Sequence, residues 1–380
     1  MTDKDRHNIS DFPRSCGFEN GAPGPNDSRC PVTRYRPEFV PSRLLDEARS
    51  GWFPRGIRHC IACELCSPRP EASFPACADA LILAGEKREG FIPRAFGGAL
   101  DATVELQIRN EAPQKRLDWI APDLRIAQKG ESADVALFVG HAPYYDILLD
   151  GIGLKATDEV RAAIELLNSV GVTPVVLEDE VSDGSDRLHA GDRDGFIALG
   201  TRNRDLYRER GVRTIVAACD DARYTLANRY PGRIPEWNFE IVRLADFLVQ
   251  RGGRLAFMPT RQTVAIQPSD RYNDPTGSDS VRRLLNKVPD LVVKEIEEGH
   301  PSTFGSWQQF DNTSKRLETD FLKAAQASGA ATVLIPGTRM LVRLLEGRRP
   351  GSWEETSIQI KGFYSFLVEH HTVAAEFTGA

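Results

Sequence analysis

Cys60, Cys63 and Cys66 stand at two-residue gaps in the run Cys60-Ile61-Ala62-Cys63-Glu64-Leu65-Cys66. That spacing lets successive turns of backbone present three thiolates to one centre, and with a remote fourth thiolate it suits a cubane [4Fe–4S] cluster. Zinc also accepts four thiolates, although structural zinc sites usually draw on two separated C-x2-C pairs rather than a triplet. The plainest alternative is a set of buried thiols that bind nothing. The chain has seven cysteines, an odd number, with Cys60, Cys63, Cys66 and Cys77 close together. This usage fits cofactor ligation in a reducing compartment better than a disulfide framework.

The elements that must hold such a centre belong to an ordinary globular chain. Its 380 residues are 41% hydrophobic and 27% charged, enough for two cored domains. A net charge of −6 and a pI near 5.8 argue against a nucleic-acid partner, which would want a basic stripe. The polar start and the lack of any apolar run of transmembrane length lead to the expectation of a cytoplasmic protein without a membrane span.

Residues 1–130 read as an extended, Pro- and Gly-rich arm carrying Cys16 and Cys30, followed by a small helical domain. Its helices are expected at 43–50, 76–87 and 99–110. From about Ala133 short β-branched runs alternate with amphipathic helices, the pattern of βαβ units and a parallel sheet. Strands are expected at 135–139, 172–177 and 214–218, with helices at 158–169, 195–210, 222–230 and 239–251. The order then repeats, with strands at 263–266, 291–296 and 331–335 and helices at 280–287 and 315–328. The fold class is therefore α+β overall: a small helical iron–sulfur domain, then a duplicated α/β domain over 131–350. A tail over 351–380 reads as less regular, and its Phe363, Tyr364, Phe366 and Leu367 suit either covering the sheet or meeting a partner.

These residues carry a resemblance across most of the chain. Cys30-Pro31, an arginine-containing helix and the Cys60 triplet together resemble the second half of the two-cluster ferredoxin module of heterodisulfide reductase C-type subunits. The α/β part resembles the CCG-domain B-type subunit of the same family. Gly140-His141 stands where the family has Gly-Cys, Glu180-Val181-Ser182-Asp183-Gly184 where it has Cys-Cys-Gly, and Ala218-Cys219-Asp220-Asp221-Ala222 where it has C-x2-C. In the second repeat Ile266-Gln267-Pro268-Ser269, Phe304-Gly305-Ser306 and Ile335-Pro336-Gly337-Thr338-Arg339 replace the corresponding cysteine motifs. Only Cys219 survives of the cysteines that hold noncubane clusters in the family, so cluster-based disulfide reduction is not expected here. The resemblance implies one [4Fe–4S] cluster in an electron-transfer subunit, working with a flavoprotein A-type subunit and other B/C-type subunits, in bacteria in sulfur-compound oxidation. It also implies the fourth ligand. In two-cluster modules the Cys-Pro cysteine of one motif ligates the other motif's cluster, which assigns Cys30 to Cys60, Cys63 and Cys66, with Cys77 as the competing fourth ligand. A non-redox structural or assembly subunit, with a structural cluster or zinc, is the other class of function in play.

Weaker signals lie in the α/β part. Gly151-Ile152-Gly153-Leu154-Lys155-Ala156 matches a dinucleotide fingerprint formally, but residues 144–150 separate it from the strand it should leave directly. His141 at a strand's C-terminal end and Cys219 at a strand-to-helix junction are candidate functional residues. Asp220 and Asp221 oppose a thiolate there. Glu369-His370-His371 reads as a solvated tail.

Overall fold

The computed structural model describes residues 27, 30–49, 56, 59–60, 98–109, 117–150, 155–251, 253, 255–266, 276–296, 313–346 and 357–372. The helix expected at 76–87, Cys16, Cys63, Cys66, Cys77, Gly151 to Leu154 and the motifs at 267–269 and 304–306 lie outside these residues. In chain order come α1 (Pro41–Arg49), α2 (Ala99–Arg109), β1 (Val135–Phe138), α3 (Ala142–Leu148), α4 (Ala156–Ser169), α5 (Ser185–His189) and α6 (Arg193–Glu209). Then follow β2 (Thr214–Ala217), α7 (Asp220–Tyr224) running into a π turn at Thr225–Arg229, β3 (Glu240–Arg243) and α8 (Leu244–Arg251). The second half has β4 (Thr263–Ile266), α9 (Thr276–Leu285), β5 (Val292–Glu295), α10 (Thr313–Ala327), β6 (Thr332–Ile335), α11 (Thr338–Glu346), β7 (Gln359–Gly362) and α12 (Phe363–His370). The fold is α+β with parallel-sheet α/β units, as the alternating pattern predicts.

Both sheets are parallel, and their strand orders match. The first runs β1-β2-β3, with Val175 bridged in parallel to Ala136 on the free edge of β1; the second runs β5-β4-β6-β7. Counting the Val175 segment, each half places its strands in the order second, first, third, fourth. The register is continuous from Val135↔Thr214 to Thr214↔Glu240 in the first sheet, and from Val264↔Thr332 to Thr332↔Gln359 in the second.

Period-2 alternation sends the strand residues to two different cores. Val135, Leu137, Val139, Val264 and Ile266 point into one continuous cluster with α4, α8, α9 and α12, where Val160, Leu248, Leu284 and Phe366 are buried. Ala136, Phe138, Ile215 and Ala217 point the other way, onto Phe196, Tyr207 and Tyr230, while Ala265, Val333 and Ile335 pack with Phe321 and Leu341. The two halves are therefore joined through a shared inner layer of helices.

Four expectations need correction. The run 172–177 makes only the Val175 bridge, because Pro174 has no N–H to give a ladder and its carbonyl accepts from Ala127 instead. The helix expected over 239–251 begins as β3, since Ile241 and Val242 pair with β2 and only Leu244 onward has the helical spacing. Residues 144–150, which separate the glycine motif from β1, mostly belong to α3, which Pro143 starts by fixing φ in the first turn. The tail is regular from Gln359: β7 completes the second sheet, and Phe363, Tyr364, Phe366 and Leu367 are buried on α12. His370 and His371 are no solvated tail, because one ring lies 4.4 Å from Phe366 and the other 5.9 Å from Phe257.

Candidate functional site

The C-terminal ends of β1 and β2 open onto a small cavity whose lining includes Phe138, His141, Tyr145, Asp183, Cys219 and Arg339. The chain leaves β1 for the Val175 segment on one side and returns to β2 on the other, so the cavity sits at the topological switch point where open α/β sheets place ligands. Thr338 and Arg339 close it from the second half, through the first turn of α11.

The loop 180–184 is built to hold Asp183 still. Glu180, fully buried, accepts from Val139 N at 3.0 Å and Gly140 N at 2.9 Å, and its other oxygen accepts from the Tyr207 hydroxyl. Asn203 on α6 accepts from Val181 N at 2.9 Å and donates to Val181 O at 3.0 Å. The Gln107 side-chain Oε1 on α2 accepts from Ser182 N at 3.0 Å, and the Tyr230 hydroxyl donates to the Asp183 backbone carbonyl at 3.0 Å. Gly184 turns the chain with φ +69°, a conformation that strains residues with a Cβ, and an added Cβ would meet Phe196 at 3.0 Å. Burial raises the Asp183 carboxyl to about 6, although Ser185 N and Oγ both donate to Oδ1 at 3.0 Å.

Cys219 precedes α7 and is half-buried. Burial pushes its thiol up to about 12, with the Asp221 carboxylate adding to the rise, and the backbone N–H groups of Ala222, Arg339 and Asp221 only partly offset it. At neutral pH it is a thiol, which removes the reactive thiolate that a strand-to-helix junction suggests. Arg339 is buried and ends on Asp186, with Ser185 Oγ 3.3 Å from Nη1; burial opposes its charge, but the Asp186 carboxylate holds the guanidinium well above its ordinary value. His141, also buried, has its ring 5.8 Å from that of Tyr145. The structure thus brings His141 and Cys219 to one cavity, and adds Asp183 and Arg339 from the segments 180–184 and 335–339, which the sequence marks by resemblance without assigning either side chain a role.

The dinucleotide reading meets a competitor. The first turn of α4, where a phosphate would dock, is filled by Asp146, whose carboxylate accepts from Ala156 N and from the Thr157 hydroxyl at 2.6 Å.

Of the thiol ligands suggested by sequence, Cys30 and Cys60 are described and both are buried. Cys30 leads into a 3-10 turn at Pro31–Arg34, and Asp27, one turn before it, holds Ser42 N at 2.8 Å in the first turn of α1. The approach to Cys60 lies against the same helix, because an added Cβ at Gly56 would stand 2.9 Å from Leu44 Cδ2. Backbone hydrogen bonding and Arg36 hold the Glu38 carboxyl below its usual range, and the nearby His59 adds to this. Asp27 and Gly56 therefore both lie against α1. Among the described residues no group of three or more His, Cys, Asp or Glu is arranged to hold a metal ion, and no helix is long and apolar enough to cross a membrane.

No family model matches the chain. It is 23% identical over 291 residues to an uncharacterized iron–sulfur protein of Methanococcus maripaludis, covering 72% of this chain and 52% of that protein. A second uncharacterized iron–sulfur protein, from Methanocaldococcus jannaschii, is 26% identical over 176 residues, covering 44% of this chain and 32% of that protein. The chain thus spans about half, or less, of the length of these curated relatives. A crystal structure of a hypothetical protein from Helicobacter pylori aligns with 88% of this chain and 66% of its own, at 12% identity and a TM-score of 0.43.

Proposed function

We propose that this chain is an iron–sulfur protein whose residues 1–130 carry one [4Fe–4S] cluster on Cys60, Cys63, Cys66 and Cys30, and that it relays electrons as a subunit of a heterodisulfide-reductase-like assembly. The observation that carries the reading is the Cys60 triplet; two relatives bearing iron–sulfur names support it, as does the placement of Asp27 and Gly56, near Cys30 and Cys60 in the chain, against one helix. The donor set fits: thiolates are the ligands such clusters require, and burial of Cys30 and Cys60 suits a centre shielded from water. When bound, the cluster would supply one-electron transfer. The chain's part is to hold the thiolates and to set solvent access.

The α/β part supports the same family. The segments that resemble its cysteine motifs at Gly140-His141, 180–184, 218–222 and 335–339 converge on this cavity, yet of the cysteines those motifs carry in the family only Cys219 stands there. Relay through a single centre demands partners for two-electron chemistry, and a flavoprotein A-type subunit with other B/C-type subunits fits that need; sulfur-compound oxidation is the pathway class the resemblance implies.

One observation favours the non-redox reading. Tyr35 donates to Asp320 on α10 and Arg34 approaches the same carboxylate at 3.5 Å, so the arm beside Cys30 is fastened to the second half, as a structural cluster or zinc would also do. Anaerobic purification decides between them. Relay requires about four irons per chain and a paramagnetic signal that appears on reduction at physiological potentials. Stoichiometric zinc, or a cluster beyond the reach of biological reductants, leaves only the structural role. Cys30→Ser should abolish or convert the cluster while Cys77→Ser leaves iron content intact; the opposite pattern assigns the fourth ligand to Cys77.

A further inference from the structure

The cavity between the halves is built for a ligand that the cluster reading does not use. Asp183 lines it, is 6% exposed, and spends Oδ1 on Ser185; its Oδ2 has no hydrogen-bond partner among the described residues. Around it the charges do not balance in favour of an anion. Asp183 and Asp221 both line the cavity, and Arg339, the lining guanidinium, is already answered by Asp186. Among the described residues, Asp183, Asp221 and Asp186 set three carboxylates beside Arg339 and His141.

The remaining wall is apolar and aromatic: Phe138, Val139, Tyr145, Val160 and Ala218. A carboxylate at one end of an apolar, ring-lined chamber suits an ammonium group, through a charge-assisted hydrogen bond and attraction to aromatic faces. A metal ion suits it poorly, since no three potential ligands among the described residues are arranged for one. We propose that the cavity binds a small organic cation, a primary ammonium on a short apolar body, with Asp183 Oδ2 receiving the ammonium and the Phe138 and Tyr145 rings lining its body. The location at the switch point of the sheet supports the assignment independently of charge. Because Thr338 and Arg339 complete the wall, occupancy would also bridge the two halves.

Three probes with the same number of carbons test this on the full chain: propylammonium chloride, propan-1-ol and sodium propionate, each titrated while the amide resonances of Gly140, Gly184 and Arg339 are followed. Propylammonium is expected to give saturable shifts, the alcohol weaker ones and the propionate none. Asp183→Asn, which keeps an oxygen for Ser185, should weaken propylammonium binding by roughly tenfold or more. Propionate binding as well as propylammonium, the absence of saturable shifts with propylammonium, or equal affinity in a folded Asp183→Asn protein would each overturn the proposal. The comparison among probes on the unmodified chain stands even if that variant fails to fold.

Discussion

Asp183 and His189 flank one turn of chain and titrate in opposite senses. Burial raises Asp183 from its ordinary 3.8 to about 6, so between those values the folded state holds a proton that the unfolded chain releases. Its stabilising contribution is present at acid pH and is lost as pH rises through that window. Burial, helped by the Arg229 charge, lowers His189 from 6.5 to about 3, while its Nδ1 lies 2.6 Å from Ser185 O. That contribution is present above 6.5 and is lost as pH falls towards 3. Urea midpoints measured across the acid range should therefore separate the two: Asp183→Asn should make stability rise more steeply with pH between about 4 and 6, and His189→Gln should flatten the acid loss. Profiles parallel to the unmodified protein's would refute both assignments. Glu180 gives a second residue-scale test. It satisfies two backbone N–H groups and the Tyr207 hydroxyl from a fully buried position, so Glu180→Ala should cost roughly 3–5 kcal/mol by chemical unfolding, whereas an effect below about 1 kcal/mol would mean the loop is held by other contacts.

Among the elements, the joint between α4 and α12 is the most demanding. Glu159, buried on α4, accepts from Ser365 N at 2.8 Å and Tyr364 N at 3.1 Å, capping a helix that begins about two hundred residues later. Gly362 makes room: an added Cβ would stand 1.9 Å from Glu159 Oε1, although the backbone there, at φ −68°, is ordinary. Gly362→Ala should therefore destabilise by about 2–4 kcal/mol through overpacking, and Glu159→Ala by about 1–3 kcal/mol through the lost cap. Combined, the two should cost less than their sum by at least about 1 kcal/mol, because removing the carboxylate clears the space the methyl needs. Additive losses in a double-mutant cycle would show that the clash is relieved elsewhere. This joint also shows where sequence stops being legible. The 3.6- and 2-residue periods located most of the strands and long helices, because burial on one face or two is written locally. Nothing local marks Glu159 as the cap of α12, or Asp183 and Arg339 as walls of one cavity, since those pairings cross between halves. The triplet at Cys60 suggests a chemistry by spacing alone, but Cys63 and Cys66 lie outside the described residues, whereas β3 departs from the helical expectation because a short edge-side strand runs straight into an amphipathic helix.

On the scale of the whole molecule, the shared inner layer sets how the chain unfolds. Val216 of β2 and Leu334 of β6 lie in the same buried cluster, joined through α4, α8, α9 and α12, so neither sheet keeps its inner face covered if the other half leaves. Matching strand orders alone would permit two independent domains; a common core does not. Leu367, fully buried on α12, belongs to the second half by chain order but packs in that common cluster. Leu367→Ala should cost about 2–5 kcal/mol. Native-state hydrogen exchange can locate the loss: protection at Ile215 and Val216 in the first sheet should fall by the same free energy as at Val333 and Leu334 in the second. If only the second sheet loses protection, the halves open separately and the inner layer is a docking surface rather than one core.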